Sequence, residues 1–278
     1  MEQVRIAVAS GKGGTGKTFV ATNLASVIGG QLVDCDVEEP NAHLFLKPRV
    51  EKRLPVTVSV PRVDESTCDH CRRCAEACRY HALLVLSDKV LFFEELCHSC
   101  GVCRFVCPHG AIREEEREIG EVRIGETNGV RFIGGVLRVG EPRAVPVIKE
   151  AKAQIDPQRP CILDAPPGTS CPAIETVKGS DFCLLVTEPT PFGISDLKMA
   201  IEAFGKLGVR MGVVINRCDL GEGAREFCRR EGLEVLCEIP FDSRISQVYA
   251  DGGLVVDELP EYEEVFRRIW KGIRESLQ

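Results

Sequence analysis

The sequence lacks the features that mark membrane-spanning, secreted and nucleic-acid-coating proteins. No apolar stretch reaches the ~20 residues that a membrane-spanning helix needs. No charged-then-apolar leader precedes the strand-like residues 4–9. Basic residues are outnumbered by acidic ones, 35 to 42, and the net charge of −7 disfavours a general nucleic-acid coat. We therefore expect a cytoplasmic protein that binds neither membranes nor nucleic acid.

Cysteine, by contrast, is abundant, with 15 residues in a chain of 278. A secreted disulfide scaffold would explain this content only together with an export signal. Eight of the cysteines form two runs of matching spacing, which suits metal binding. The others lie mostly in or beside apolar segments, where free cysteine behaves as a small hydrophobic residue. They are Cys35, Cys161, Cys171, Cys183, Cys218, Cys228 and Cys237.

Strand-like and helix-like segments alternate at both ends of the chain. Residues 4–9 resemble a strand, a glycine-rich loop follows, and residues 17–28 have helical character before Gly29 and Gly30. This order predicts an α/β fold with a mostly parallel, doubly wound sheet. Further strands are expected at residues 32–36, 160–164, 182–186, 211–215 and 233–237, and a last helix at about 261–276.

A long cysteine-rich insertion interrupts the alternation. Residues 60–113 contain both cysteine runs, and the following residues alternate like hairpin strands. A structureless loop of this length inside a compact domain is improbable. We predict one discontinuous α/β domain, residues 1–53 and 148–278, with an inserted α+β module at 60–113 and a β-rich connector at 114–147.

A phosphate-binding loop follows the first strand. The segment GKGGTGKT at residues 11–18 fits the pattern G-x-x-x-x-G-K-[ST] between a predicted strand and a predicted helix. Glycines let backbone N–H groups surround an anion, and the helix N-terminus adds favourable partial charge. Lys17 is expected at the β- and γ-phosphates and Thr18 on Mg²⁺. The candidate nucleotide-binding residues are Gly11, Gly13, Gly14, Thr15, Gly16, Lys17 and Thr18.

A second lysine in the loop indicates which class of phosphate-loop protein the sequence resembles. Residues 12–18, KGGTGKT, match the deviant phosphate loop KGGxGKT of the MinD/Mrp/nitrogenase-iron-protein class of P-loop ATPases. The chain resembles this class over nearly its whole length. In that class the first lysine reaches the nucleotide of the partner subunit. The resemblance implies an ATP-sandwich homodimer, or a heterodimer with a close paralogue, in which Lys12 stabilises transition-state charge in trans.

Three acidic residues follow predicted strands. Asp34 and Asp36 end the second strand, and carboxylates at i and i+2 on a strand share a face. The resemblance implies that Asp36 orients the attacking water. It also implies that Asp164, in the D-x-P-P-G switch at 164–168, holds Mg²⁺, and we expect Asp34 at the same ion. The catalytic candidates are Lys12, Lys17 and Asp36.

The base-binding end is expected after a later strand. In the resembling class an asparagine contacts adenine and a proline helps to enclose it, roles that fall to Asn216 and Pro240. The segment NRCD at 216–219 also approximates the N-K-x-D motif of GTPases, in which an aspartate, here Asp219, accepts from guanine. The ATPase-type loop and switch favour ATP, and guanine stays open.

The two cysteine runs share the spacing C-x₂-C-x₂-C-x₃-C, at 68–78 and at 97–107. Structural zinc usually takes two separated cysteine pairs instead. The pattern resembles bacterial two-cluster ferredoxins, in which each fourth cysteine serves the other cluster. Arg79 departs from it, because a proline follows only the second run. The resemblance implies one [4Fe–4S] cluster on Cys68, Cys71, Cys74 and Cys107, and a second on Cys97, Cys100, Cys103 and Cys78.

Three functions fit this combination of parts. In the first, nucleotide-driven dimer rearrangement is coupled to electron transfer through the clusters to a redox partner protein, with ATP or ADP and Mg²⁺ bound. In the second, ATP gates delivery of iron–sulfur clusters, although the C-x-x-C pair of Mrp-type carriers is absent. In the third, the chain is a MinD-like positioning ATPase whose clusters act as sensors. Ferredoxin-type clusters generally pass electrons, which favours the first.

Two further features have a simpler interpretation. Cys171 lies near the switch, where the nitrogenase iron protein has a cluster ligand, but a reactive or structural thiol is favoured. The C-terminal helix has an apolar stripe with basic flanks. Docking on the sheet is favoured for this stripe over membrane binding.

Overall fold

The computed structural model describes residues 4–278, which contain one large sheet and a separate two-stranded hairpin. Residues 1–3, part of the expected leaderless start, lie outside the described residues. The hairpin consists of β4 (Leu83–Val85) and β5 (Val90–Phe92). The strands of the large sheet are β1 (Arg5–Ala9), β2 (Gln31–Asp34), β3 (Arg49–Val63), β6 (Ile112–Thr127), β7 (Val130–Leu137), β8 (Cys161–Asp164), β9 (Phe182–Thr187), β10 (Arg210–Asn216) and β11 (Glu234–Ile239).

The large sheet has the strand order β11-β10-β9-β1-β8-β2-β7-β6-β3. Six neighbouring pairs are parallel, and β3–β6 and β6–β7 are antiparallel. The register pairs Asp164 with Val8 on one side and with Asp34 on the other. The carboxyl ends of β1, β2 and β8 therefore meet at one edge, where open parallel sheets bind their ligands.

Helices cover both faces of the large sheet. Ile6 and Val8 of β1 pack into one core, and Ala7 and Ala9 pack into the core on the opposite face, as alternating strand residues must. This is the mostly parallel α/β arrangement that the sequence predicts. The helices are α1 (Lys17–Ile28), α2 (Ala42–Leu46), α3 (Arg73–Ala77), α4 (Val102–Phe105), α5 (Ala144–Ala153), α6 (Cys171–Val177), α7 (Pro191–Gly205), α8 (Gly223–Glu231), α9 (Ser243–Ala250), α10 (Val255–Glu258) and α11 (Glu263–Leu277). Three short 3₁₀ turns lie at Glu94–Leu96, Cys218–Leu220 and Pro260–Tyr262.

The predicted first helix is confirmed, whereas the strand expected at 32–36 is β2 at Gln31–Asp34. Helix α1 has the expected bounds, and it ends because Gly29 takes a left-handed φ of 60° and donates its N–H to the last turn. The expected strands near 160–164, 182–186, 211–215 and 233–237 are β8 to β11, shifted by one or two residues at their ends.

Residues 114–147, expected as a β-rich connector, form most of β6, all of β7 and the start of α5. β7 pairs in parallel with β2, so these strands extend the main sheet instead of linking two domains. The physical reason is burial, because Ile119, Val122 and Ile133 share one core with residues of β2 and β8.

The cysteine-rich residues 64–111 lie at the far end of the β3–β6 ribbon. The last residue pair of this ribbon is Val63 with Ile112. Cys74, Leu83 and Val85 of this segment form a small separate core together with Ile112 of β6. We therefore propose that the module comprises residues 64–111, which is narrower than the predicted 60–113.

The C-terminal helix α11 packs on the main sheet. Phe266, Ile269 and Ile273 are fully buried, and the ring of Phe266 contacts Phe19 of α1 edge-on at 5.7 Å between centroids. The docking predicted for the apolar stripe is confirmed. Within residues 4–278, no helix combines the length and the apolar character needed to cross a bilayer.

Candidate nucleotide site and cysteine pockets

The phosphate loop connects β1 to α1 and needs glycine at several points. Gly14 and Gly16 have φ angles of 80° and 96°, a region that glycine enters without strain. A Cβ atom on Gly11 would lie 2.1 Å from the carbonyl oxygen of Asp196, so no larger side chain fits there. The glycine spacing of the motif is thus explained by the compact path of the loop.

Lys17 is buried despite its charge. Its side chain donates to the carbonyl oxygen of Lys12 at 3.4 Å, across the loop. Burial lowers the pKa of Lys17, and the carboxylates of Asp164 and Asp36 oppose this effect. A desolvated ammonium group held inside the loop is suited to meet a phosphate anion.

Asp34 ends β2 and is fully buried. Its two carboxylate oxygens accept backbone N–H groups, from Asp36 at 3.2 Å and from Ala42 at 3.1 Å. Burial, followed by repulsion from Asp164, raises the pKa of Asp34 well above its usual range. Because β2 ends at Asp34, the strand alternation that we used to place Asp34 and Asp36 on one face does not reach Asp36.

Asp164 is also fully buried, at the end of β8. Burial raises its pKa to about 7, against the opposing effects of Thr18 and Lys17. Within residues 4–278, neither of its carboxylate oxygens has a hydrogen-bond partner. Unpaired buried acceptors need an explanation, and a carboxylate beside a phosphate loop is a suitable ligand for Mg²⁺ or its bound water.

A cavity of about 500 Å³ opens beside the loop, in the size range of small-molecule sites. The predicted site residues that line it are Gly13, Gly14, Gly16, Lys17, Thr18, Asp36, Asn216 and Pro240. The other predicted residues of the nucleotide site, which do not line it, are Gly11, Lys12, Thr15, Asp34 and Asp164. Burial raises the pKa of Asp36, and Lys17 is among the groups that lower it.

Contacts at the far end of the cavity bear on whether the site recognises adenine or guanine. The Asn216 side chain donates to the Thr15 carbonyl oxygen at 2.9 Å and so ties the end of β10 to the phosphate loop. Asp219 accepts the backbone N–H of Phe241 at 2.7 Å, and it is not among the residues that line the cavity. The guanine-reading role considered for Asp219 therefore lacks a free carboxylate facing the cavity.

Several lining residues escaped the sequence analysis. Phe241 and Tyr249 present aromatic rings at the cavity, and Tyr249 stacks on Phe45 at 4.4 Å between centroids. Arg217 also lines it and pairs with Glu188 at 2.7 Å. The aromatic residue directly after Pro240 was an available signal, whereas Tyr249 lies on α9, which no motif marked.

The eight cysteines of the two runs are sorted into two small pockets. Each pocket is lined by three cysteines of one run and the fourth cysteine of the other run. The first pocket is lined by Cys68, Cys71, Cys74 and Cys107. The second is lined by Cys78, Cys97, Cys100 and Cys103. These are the two sets that the ferredoxin resemblance implies, and each set offers soft thiolate ligands of the kind that iron–sulfur clusters take.

The backbone around the two pockets repeats along with the cysteines. Left-handed φ angles recur at matching places in the two runs, at His70 and Ser99 and again at Arg72 and Gly101. The backbone N–H groups of His70 and Ser99 each lie 3.4 Å from a cysteine sulfur, Cys68 and Cys97 respectively. Hydrogen bonds to sulfur are among the protein contacts that tune such clusters.

The thiols could alternatively form disulfides or bind a single metal ion. All 15 cysteines are free of disulfides. One further group of ligand atoms, from Glu65, Cys68 and His70, lies within 4.8 Å and could hold a single metal ion. It shares Cys68 with the first pocket, so the two uses exclude each other. Cys171 is exposed and lines neither pocket.

Comparison with known proteins assigns the chain to a family. The sequence matches the family described as "CobQ/CobB/MinD/ParA nucleotide binding domain" (CbiA) over residues 6–255. The chain belongs to this family. It is a family of nucleotide-binding domains, and the phosphate loop at residues 11–18 lies inside the matched range.

Relatives of this CobQ/CobB/MinD/ParA chain span nearly its whole length. Uncharacterized protein MJ0579 of Methanocaldococcus jannaschii is 31% identical over 90% of this chain and 91% of its own. Uncharacterized protein MJ0578 of the same organism is 29% identical over 99% of this chain and 98% of its own. One archaeon thus has two proteins of this kind.

Solved structures share the fold of this family member. The septum site-determining protein MinD of Pyrococcus horikoshii, complexed with Mg-ADP, has a TM-score of 0.60 and 21% identity, covering 98% of this chain and 96% of that chain. The cell division ATPase MinD of Pyrococcus furiosus has a TM-score of 0.60 and 23% identity, covering 99% of both chains. At these identities the comparison establishes the fold.

The nucleotide site of this family member has the chemistry to accept Mg²⁺. Three residues around it carry buried oxygens that have no partner within residues 4–278, namely Thr15 Oγ1, Asn41 Oδ1 and both carboxylate oxygens of Asp164. Hard oxygen ligands of this kind, together with nucleotide phosphates, are what Mg²⁺ prefers.

Proposed function

We propose that the protein hydrolyses ATP to ADP and phosphate, and that its nucleotide state controls two [4Fe–4S] clusters that pass electrons to a partner protein. In the nucleotide half, the loop glycines and Lys17 bind the phosphates. Thr18 and Asp164 hold Mg²⁺, together with Asp34, the residue beside Asp164 on the neighbouring strand. Asp36, at the cavity wall, orients the attacking water. The unpaired carboxylate of Asp164 supports the Mg²⁺ assignment.

Adenine is the base in this proposal. The aromatic rings of Phe241 and Tyr249 provide apolar surface for a purine, and Pro240 closes the same end of the cavity. Guanine recognition requires a carboxylate that accepts from the ring N–H groups, whereas Asp219 is not among the cavity-lining residues and one of its oxygens accepts the Phe241 N–H. ATP is therefore favoured over GTP.

The active form in this proposal is a nucleotide-bridged dimer. Lys12 occupies the place of the first lysine of the KGGxGKT loop, which in the resembling class reaches the nucleotide of the partner subunit. A homodimer is the simplest arrangement. The two relatives in one archaeon support the alternative of a heterodimer between close paralogues.

The cluster proposal depends on one observation, the sorting of eight cysteines into two pockets with exchanged fourth members. When bound, [4Fe–4S] clusters supply one-electron transfer at potentials set by their surroundings. The chain contributes the thiolates and the backbone N–H groups of His70 and Ser99 that point at sulfur. Zinc would require four thiolates in tetrahedral sites, and the ferredoxin spacing favours iron instead.

The redox coupling is tested with protein purified without oxygen. ATP turnover and partner affinity are measured before and after chemical reduction, and bound iron is followed in the presence of Mg-ATP and an apo-ferredoxin acceptor. Electron transfer predicts that iron stays bound and that reduction changes turnover or affinity. Iron-free protein is the control and should not respond. Iron retained with no effect of reduction would contradict the proposal.

A cluster carrier gives a different result in the same experiment. ATP-dependent loss of iron to the acceptor would favour delivery over electron transfer. The absence of a C-x-x-C pair after the cysteine runs keeps this function second.

A positioning ATPase is a further candidate, supported by the similarity of fold to MinD proteins. The burial of the apolar face of α11 in the main core leaves no helix tail for membrane binding in the described residues. ATP-dependent sedimentation with anionic vesicles or DNA, together with turnover unaffected by cluster reduction, would favour this function.

A further inference from the structure

The cysteine-rich module and the nucleotide-binding sheet are joined by buried charged side chains as well as by β3 and β6. Arg143, the residue before α5, is only 8% exposed. Its guanidinium donates to the carbonyl oxygen of Cys97 at 3.0 Å and to the hydroxyl of Ser99 at 2.9 Å. Both residues line the second cysteine pocket. An arginine at the start of α5, outside the module, therefore holds the backbone of that pocket.

Arg143 belongs to a row of four charges that we call the bridge, made of Glu94, Arg117, Glu141 and Arg143. Glu141 accepts from Arg143 Nη2 at 3.0 Å and from Arg117 Nη1 at 2.6 Å. Arg117, on β6, also pairs with Glu94 at 2.8 Å, just before Cys97. The Glu141–Arg143 pair is buried, and buried ion pairs add little net stability compared with apolar packing but can specify geometry where their partners are fixed. The bridge is thus better suited to positioning than to stabilisation.

The other end of this connection reaches the nucleotide cavity. Val37 directly follows Asp36, which lines that cavity, and its carbonyl oxygen accepts the N–H of Leu137 at 2.8 Å. Val37 also packs closely on β7, because a Cβ on Gly135 would lie 2.5 Å from Val37 Cγ1. A displacement of Asp36 and Val37 must therefore move the end of β7.

Backbone hydrogen bonds connect the loop between β7 and α5 to β6, so a displacement of β7 would also move this loop. The N–H of Arg138 donates to Ile119 on β6 at 2.9 Å, and the N–H of Glu141 donates to Arg138 at 3.0 Å. The first cysteine pocket has different polar contacts, which stay inside the module. Asp69 pairs with His109 at 2.9 Å, and His70 pairs with Glu65 at 3.1 Å.

We propose that Arg143 is a positioning residue through which nucleotide binding acts on the second cysteine pocket and not on the first. The path leads from Asp36 and Val37 through β7 to Glu141 and Arg143, and from there to Cys97. Packed, hydrogen-bonded elements of this kind are the physical carriers of coupling between sites. The inference depends on the proposed function in one respect, namely that the second pocket holds a cluster. The movement of the pocket is measurable without one.

Hydrogen–deuterium exchange of the full chain tests the path. Exchange is compared with and without Mg²⁺ and a non-hydrolysable ATP analogue. In the wild type we expect exchange in residues 97–103 to change by on the order of tenfold, a usual size for coupling between sites, with residues 68–74 unchanged. Arg143→Lys keeps the charge but loses the planar fork, so it should bind nucleotide and lose the response. Arg159→Lys is the matched control, because Arg159 pairs with Glu126 at 3.0 Å away from the module, and it should respond normally.

Two results would overturn the inference. One is an equal response in residues 68–74 and 97–103, and the other is a full response in folded Arg143→Lys. If Arg143→Lys does not fold, Ser99→Ala removes only one acceptor of the contact and should weaken the response. An unchanged response in Ser99→Ala would then reject the path.

Iron-loaded protein gives a second, spectroscopic readout. Nucleotide should shift the reduction potential of one cluster, and Arg143→Lys should abolish that shift while both clusters stay bound. A nucleotide shift that is equal for both clusters, or that persists in Arg143→Lys, counts against the inference. Protein without iron would reject the cluster proposal but leave the exchange measurement valid, so the two failures are distinguishable.

Discussion

Asp164→Asn should stabilise the nucleotide-free protein while removing its response to Mg-nucleotide. Asp164 is fully buried, its carboxylate has no hydrogen-bond partner within residues 4–278, and its pKa is raised from 3.8 to about 7. A difference of about three pH units corresponds to ~4 kcal/mol at ~1.4 kcal/mol per unit, an upper bound for the penalty of ionising it. Asp34 is buried beside Asp164 and repels it, so part of the penalty belongs to the pair. We therefore expect Asp164→Asn to raise the free energy of unfolding by about 1–4 kcal/mol above pH 7.

The pH dependence gives this prediction its sign. The folded protein keeps the Asp164 proton up to about pH 7, whereas the unfolded chain releases it near 3.8. The penalty is therefore absent below pH 4, grows as the pH rises through this window, and is complete above pH 7. The advantage of Asp164→Asn should be smaller at pH 5 than at pH 8.

Thermal unfolding at pH 5 and pH 8 measures the effect, with and without Mg-ATP. Asp88→Asn is the matched control, because Asp88 is exposed and its substitution should change the melting temperature little. The wild type should gain stability from Mg-ATP and Asp164→Asn should not. A variant that is less stable than the wild type at pH 8, or whose advantage is the same at both pH values, would refute the reasoning.

Three other substitutions test separate parts of the account. Gly16→Ala places a Cβ at a residue with a φ of 96°, only 2.6 Å from the Asn216 side chain. The resulting backbone strain of ~1–2 kcal/mol should weaken nucleotide binding about tenfold. Calorimetry measures this affinity, and an unaltered value would contradict the prediction. Lys12→Ala should abolish cooperative ATP turnover but leave nucleotide binding intact, and unchanged hydrolysis would argue against the dimer. Cys107→Ser should lose the iron of the first pocket, whereas Cys171→Ser, outside both pockets, should keep all of it.

The local parts of the fold were predictable from the sequence because local rules determine them. The bounds of α1 follow from a glycine-rich start and from Gly29 at its end, and both act within a few residues. The membership of the cysteine pockets was predictable only through the resemblance to two-cluster ferredoxins, which implies the exchanged fourth cysteines.

Non-local packing decided what the sequence analysis did not predict. The alternation in residues 114–147 indicated strands, but their place beside β2 depends on pairing with a segment about a hundred residues earlier. Strand β3 was not predicted, because its exposed positions carry charges typical of a solvated ribbon. No motif marks the bridge charges: Arg117 lies 24 residues before Glu141, and Arg143 lies 46 residues after Cys97, so only the folded chain brings them together.

The central claim is that each of the two pockets holds a [4Fe–4S] cluster in a chain that also binds a nucleotide. Protein purified without oxygen should be brown and contain about eight iron and eight acid-labile sulfide atoms per chain, the content of two such clusters. Colourless protein, or protein that carries zinc without sulfide, would contradict the claim.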